Sequence, residues 1–122
     1  MRRERFERLV ARALDELPDP FGRFLDNVVV VIERWPSARD LAMAELGPDE
    51  TLFGLYEGTP LPERTSGWGN VVPDKITIFQ GPIEAACRSE VEIRHEVQVT
   101  VAHEIAHFFG IDESRLEELG LA

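Results

Sequence analysis

Phe6, Leu9, Val10, Ala13, Leu14 and Leu17 recur three and four positions apart, and Glu4 and Arg8 stand at i,i+4. Residues 3–17 therefore read as a surface helix with one buried stripe, ended by Pro18 and Pro20. Val28-Val29-Val30-Val31-Ile32 is a continuous β-branched run between Asn27 and Pro36, the pattern of a strand covered on both faces near the middle of a sheet. Residues 37–46 open with Ser37 as a cap and close at Gly47-Pro48, which predicts a short helix. Residues 52–58 and 75–80 read as two further strands, and Gly81-Pro82 punctuates the chain after the second. Between the strands, Thr59 to Pro73 holds two glycines, three prolines and no clear period. A loop of that length in so small a chain points to function.

Residues 91–101 carry a conflict. Val91, Ile93, Val97, Val99 and Val101 alternate at period two with Glu92, Arg94, Glu96, Gln98 and Thr100, broken only at His95. Taken alone, that alternation is a strand. Residues 102–109, however, contain neither Gly nor Pro, and their histidines can work together only on a helix. A helix from about residue 90 to 109 is therefore preferred to strand-then-helix.

At 122 residues, 43% apolar and 30% charged, the chain is the size of one globular domain, so a single domain over 1–122 is expected. Its 13 basic against 23 acidic residues, a formal charge of -10, oppose a phosphate backbone or an anionic leaflet and argue against nucleic acid and membrane as partners. No stretch approaches the roughly eighteen uninterrupted apolar residues of a membrane span, and Met1 to Arg5 run into an amphipathic pattern rather than an apolar leader. A cytoplasmic protein is the expectation. The single cysteine, Cys87, closes no intramolecular disulfide and has no metal-ligand spacing to another.

His103-Glu104-Ile105-Ala106-His107 is where the chain carries chemistry. On a helix of about 100° and 1.5 Å per residue, His103 and His107 project from one face toward one point, and two neutral imidazoles there can hold Zn2+. Glu104 stands beside them at about 60° from His107, placed to take a proton from a metal-bound water without binding the metal. Residues 97–110 contain no charge outside the motif, so the helix reads as water-poor with one polar site.

An open zinc site needs a third protein ligand. Gly110 can adopt the positive φ that turns the chain back after the helix, which makes Asp112 and Glu113 the candidates. Glu113 has the spacing of the third ligand in His-x-x-Gly-x-x-ligand sites and ranks above Asp112. Either acid also suits the start of the next helix, 113–119. His95 lies eight residues before His103, about 12 Å along the axis, too far for the same ion. Tyr56, Arg64 and Arg115 are weaker candidates for stabilising an oxyanion, and Trp68 in the long loop for a lid or subsite.

The segment HEIAHFFGIDESRLEELG from His103 to Gly120, with Asp26 to Val31, Leu55 to Leu61 and Pro73 to Pro82, resembles the small bacterial zincin-like metallopeptidases, often described as minimal zincins. The resemblance implies a compact α/β (α+β) fold with a small mixed β-sheet and an active-site helix carrying the motif. It also implies His103 and His107 as zinc ligands, Glu104 as general base, an acid after the glycine as third ligand, and hydrolysis of a peptide or protein substrate. No methionine follows His107, and only 15 residues do, so the methionine turn and the far cleft wall of larger zincins are absent. Substrate must then be held by a sheet edge, the long loop or a second subunit of a homo-oligomer; an extended peptide could pair with an exposed strand edge.

Two other readings share the motif. A non-catalytic zinc-binding or interaction module has no need of Glu104. A metal-dependent ribonuclease built on His-x-x-x-His-x-x-Gly-x-Asp-His matches through Gly110 and Asp112 but meets Glu113 where it needs histidine, and the charge opposes RNA.

Overall fold

The computed structural model describes residues 1–59 and 72–122; Arg64 and Trp68 lie outside them. Helix α1, Arg3–Asp15, buries Phe6, Leu9, Val10 and Ala13 as its periodicity predicts. A short helix α2, Phe21–Phe24, and a 3-10 turn, Leu25–Asn27, lead into strand β1, Val28–Glu33. Ser37 caps α3, Ala38–Met43, in a reciprocal arrangement: its hydroxyl accepts from the Asp40 N–H while the Asp40 carboxylate accepts from the Ser37 N–H. Strands β2, Gly54–Glu57, and β3, Asp74–Phe79, follow, each shifted or trimmed by a residue or two from its sequence limits. Gly81-Pro82 proves to be no break. Both lie in the first turn of α4, Gln80–Ala86, where a proline lacks only an N–H that has no helical partner anyway.

The sheet has the order β1-β3-β2. β1 runs parallel to β3 from Val28↔Asp74 to Glu33↔Phe79, and β2 runs antiparallel to it from Gly54↔Ile78 to Glu57↔Lys75. The central strand is thus β3, not the valine-rich β1. Among the described residues β1 is an edge, with Val29 46% exposed: its β-branched run marks a strand, but Val29 on its outer face stays open to solvent. The Arg3 guanidinium donates to the Ile32 carbonyl along that edge, one of the ways a strand edge is shielded.

The period-two conflict resolves as a single helix, α5, Glu90–Phe109. Its buried stripe runs Ile93, Val97, Val101, Ile105 at steps of four, while Val91 is 66% exposed; the alternating valines simply spread around the cylinder. The Ser89 hydroxyl caps it by accepting from the Glu92 N–H, and at the far end Gly110 takes φ 70°, ψ 32°, the left-handed conformation that suits glycine. Helix α6, Glu113–Glu118, follows and buries Leu116. α1 and α5 pack together, joined by the Gln98 side-chain amide donating to the Ala13 carbonyl at 2.9 Å, and with β3 they enclose Phe6, Phe21, Ile76, Ile78, Val97 and Ile105. Among the described residues no helix is long and apolar enough to cross a membrane.

One close approach sets the position of β2 on α5. A Cβ at Gly54 would lie 2.6 Å from the Thr100 methyl and 3.2 Å from the Thr77 carbonyl oxygen, so only a residue without a side chain lets the edge strand lie this near the helix. Thr100 is one turn before Glu104, and the strand therefore crosses α5 at the level of the motif.

Candidate metal centre

His103, Glu104 and His107 occupy the last two turns of α5. Both histidines and Glu104 line a cavity of about 560 Å³, which the left-handed turn at Gly110 closes by returning Glu113 and Leu116 to the same hollow. Asp112 does not line it. Its carboxylate caps α6 by accepting from the Ser114 N–H at 3.1 Å. The side chains do not converge further: among the described residues no three His, Cys, Asp or Glu side chains form a group that could hold a metal ion. Glu113 is exposed at the first position of α6 and shares the cavity without closing on the imidazoles.

Glu104 is held from the opposite side. Its Oε1 accepts from the Tyr56 N–H at 2.8 Å, a bond from β2 to the helix. Burial pushes the Glu104 carboxyl above the usual carboxylate range, against the lowering effect of that hydrogen bond and of the nearby His107 and His103. Glu104 and His107 also line a second cavity of about 690 Å³, which runs along β2. The two residues therefore form the ridge between the two hollows.

Tyr56 and Asp74 tie this ridge to the sheet. The Tyr56 hydroxyl donates to Asp74 Oδ2 at 2.6 Å, the Thr59 N–H donates to Asp74 Oδ1 at 2.8 Å, and Asp74 is buried. The Tyr56 phenol is thus committed to the strand rather than aimed at the histidines. Its ring stacks on Phe108 at 4.2 Å, Phe109 stands edge-on to both, and Phe24 stacks on Phe109 at 4.6 Å.

The other sequence candidates fall away from the centre. Arg115 pairs with Glu118 at 3.2 Å on the surface of α6. His95 sits by a separate hollow with Cys87, Glu92 and Glu96, and burial with those two carboxylates pushes the Cys87 thiol up, away from the reactive thiolate. Sequence reasoning missed Asp74 and the aromatic group. The available signal was Phe108-Phe109, two large rings directly after the motif and before the helix-ending glycine.

The pattern of the family described as zincin-like metallopeptidase matches residues 25–121. Among solved structures, a conserved hypothetical protein from Thermo thermophilus shares the fold with a TM-score of 0.50 at 23% identity, over 89% of this chain and 98% of that one. A comparison with curated proteins finds no match. The family match spans every strand, the helix bearing the two histidines and the returning turn beyond them, and the chain belongs to the zincin-like metallopeptidase family.

Proposed function

We propose that this single-domain protein is a zinc-dependent peptidase in which His103 and His107, with Glu113 as third ligand, hold the metal and Glu104 is the general base. The observation that carries the reading is the position of Glu104: a half-buried carboxylate of raised basicity beside two histidines one turn apart, at the junction of two cavities. The donor set of two imidazoles and a carboxylate is of the kind zinc takes in open catalytic sites, and Glu113, exposed and beyond the left-handed turn at Gly110, is the ligand that has to close. When bound, zinc supplies a Lewis acid that polarises the scissile carbonyl and makes water a stronger acid.

The chain's own residues do the rest. Glu104 accepts the proton of the attacking water and returns it to the leaving amine. The Tyr56 N–H holds that carboxylate against β2 and so fixes where the proton is taken. Metal analysis of the purified protein, followed by peptide-library cleavage with wild type and Glu104→Gln, tests the reading. A bound divalent metal is expected in both, with cleavage falling about 10²- to 10⁴-fold in the variant. Metal with no cleavage in either would favour a non-catalytic module. Cleavage of RNA lost in the variant would favour a nuclease, and failure to bind any divalent metal would overturn all three.

A further inference from the structure

Charge is spread unevenly along the chain. Residues 1–12 hold five arginines against two glutamates, whereas the remainder holds eight basic residues against twenty-one acidic. Three of the five share one face: on α1, Arg5, Arg8 and Arg12 fall within about 60° of one another around the axis and span about 10 Å along it. Arg94 of α5 joins them. Together the four arginines line a cleft of about 300 Å³ between the two helices, with Glu90 the one acid on its described lining. The two cavities at the motif have no lysine or arginine on theirs.

The cleft already holds one carboxylate. Arg5 Nε donates to Glu90 Oε2 at 2.7 Å and its Nη2 donates to Oε1, the two-pronged geometry in which a guanidinium takes a carboxylate. That pairing, with the charges of Arg5, Arg8 and Arg94, holds the Glu90 carboxyl below its ordinary range, so the arginines act on one space. The rest of the cleft is less filled. Arg12 and Arg94 reach Glu16 only at 3.7 and 3.9 Å, and Arg8, exposed, makes no hydrogen bond or ion pair among the described residues.

The shape of the cleft selects among anions. A nucleic-acid backbone or an anionic membrane would bring negative charge beyond the row, over Glu4 and Asp15 that flank it on α1. A single small anion covers too little of a row about 10 Å long to meet all its arginines. An extended peptide matches it. Carboxylates two residues apart stand about 6.5 Å from each other on one side of a strand, close to the rise of about 6 Å from Arg8 to Arg12, and the side chain between them turns to the other wall, where Arg94 lies.

We propose that the cleft between α1 and α5 is a docking surface for an extended acidic segment of another protein, three consecutive carboxylates meeting Arg8, Arg94 and Arg12 in turn. The surface is separate from the metal centre: His103 lies nine residues, about 14 Å, further along α5.

Fluorescence polarisation with the full chain tests it, using a labelled peptide of three glutamates between Gly-Ser flanks and the same peptide with glutamines. At about 50 mM salt the glutamate peptide is expected to bind about tenfold more tightly, the effect of two or three exposed charge pairs, and the preference shrinks at about 500 mM. Arg8→Glu, at an exposed side chain, abolishes it. Arg23→Glu makes the same change in net charge on α2, whose Phe24 stacks on Phe109 at the far end of α5, and keeps it. Equal binding of the two peptides would overturn the proposal, as would a preference that survives Arg8→Glu or is lost equally in Arg23→Glu. Inorganic phosphate bound as tightly as the glutamate peptide would reduce the cleft to a general anion site. Self-association in sedimentation, lost in Arg8→Glu, would assign it to a second copy; either result overturns the proposal. None of these readouts uses zinc uptake or cleavage, so the peptidase reading stands or falls separately.

Discussion

At the scale of single residues, Glu104 sits where the proposed chemistry and stability oppose each other. Because burial raises its pKa in the folded chain, folding disfavours its ionised form, and the metal-free protein bears that cost above the raised pKa and sheds it as the pH falls below the unfolded value. Glutamine keeps an oxygen for the Tyr56 N–H and cannot ionise. Metal-free Glu104→Gln should therefore melt above metal-free wild type at about pH 8, with the gap closing toward about pH 4; thermal scans across that range decide it, and a gap that widens on acidification would contradict the argument. The neighbouring acids divide differently. Asp112→Ala should cost about 1 kcal/mol of stability through its lost cap and leave zinc affinity nearly intact, whereas Glu113→Ala should leave stability nearly unchanged and weaken zinc binding by at least about tenfold. Chemical denaturation and metal titration of the pair separate the two roles.

At the scale of elements, the contact between β2 and α5 matters most, because it brings the strand to Glu104. Gly54→Ala should destabilise the protein by about 1–3 kcal/mol through overpacking, since the new methyl meets the Thr100 side chain and the Thr77 carbonyl. Adding Thr100→Ser removes the nearer obstacle and should recover much of the loss, a coupling that a double-mutant cycle by urea unfolding reads directly. This contact also shows what a one-dimensional pattern conveys. The helix and its histidines were legible because a motif at i,i+4 needs no partner from elsewhere, and the left-handed turn was legible because Gly110 announces it. The position of β1 was not: a β-branched run reports that a strand forms, while its place in the sheet depends on which neighbours cover it. The second cavity was not legible either, because Phe108 joins Met43, Leu46 and Leu52 from more than fifty residues away in sequence, and nothing in the sequence places that ring beside the strand.

At the scale of the whole molecule, the junction of β2 and β3 has a consequence for how freely the chain can vary. Thr59 and Pro73 meet at the base of the intervening segment: the Thr59 hydroxyl donates to the Pro73 carbonyl at 2.8 Å, and its N–H donates to the buried Asp74. Thr59 and Asp74 therefore hold the two strand ends together, and a change at either is felt at both. Asp74→Ala strips the acceptor from the Tyr56 hydroxyl and from the Thr59 N–H and should cost about 1–3 kcal/mol, measurable as a fall in the urea midpoint. The clasp makes this junction a place where the sequence is bound in pairs, so that one end tolerates variation only when the other changes with it.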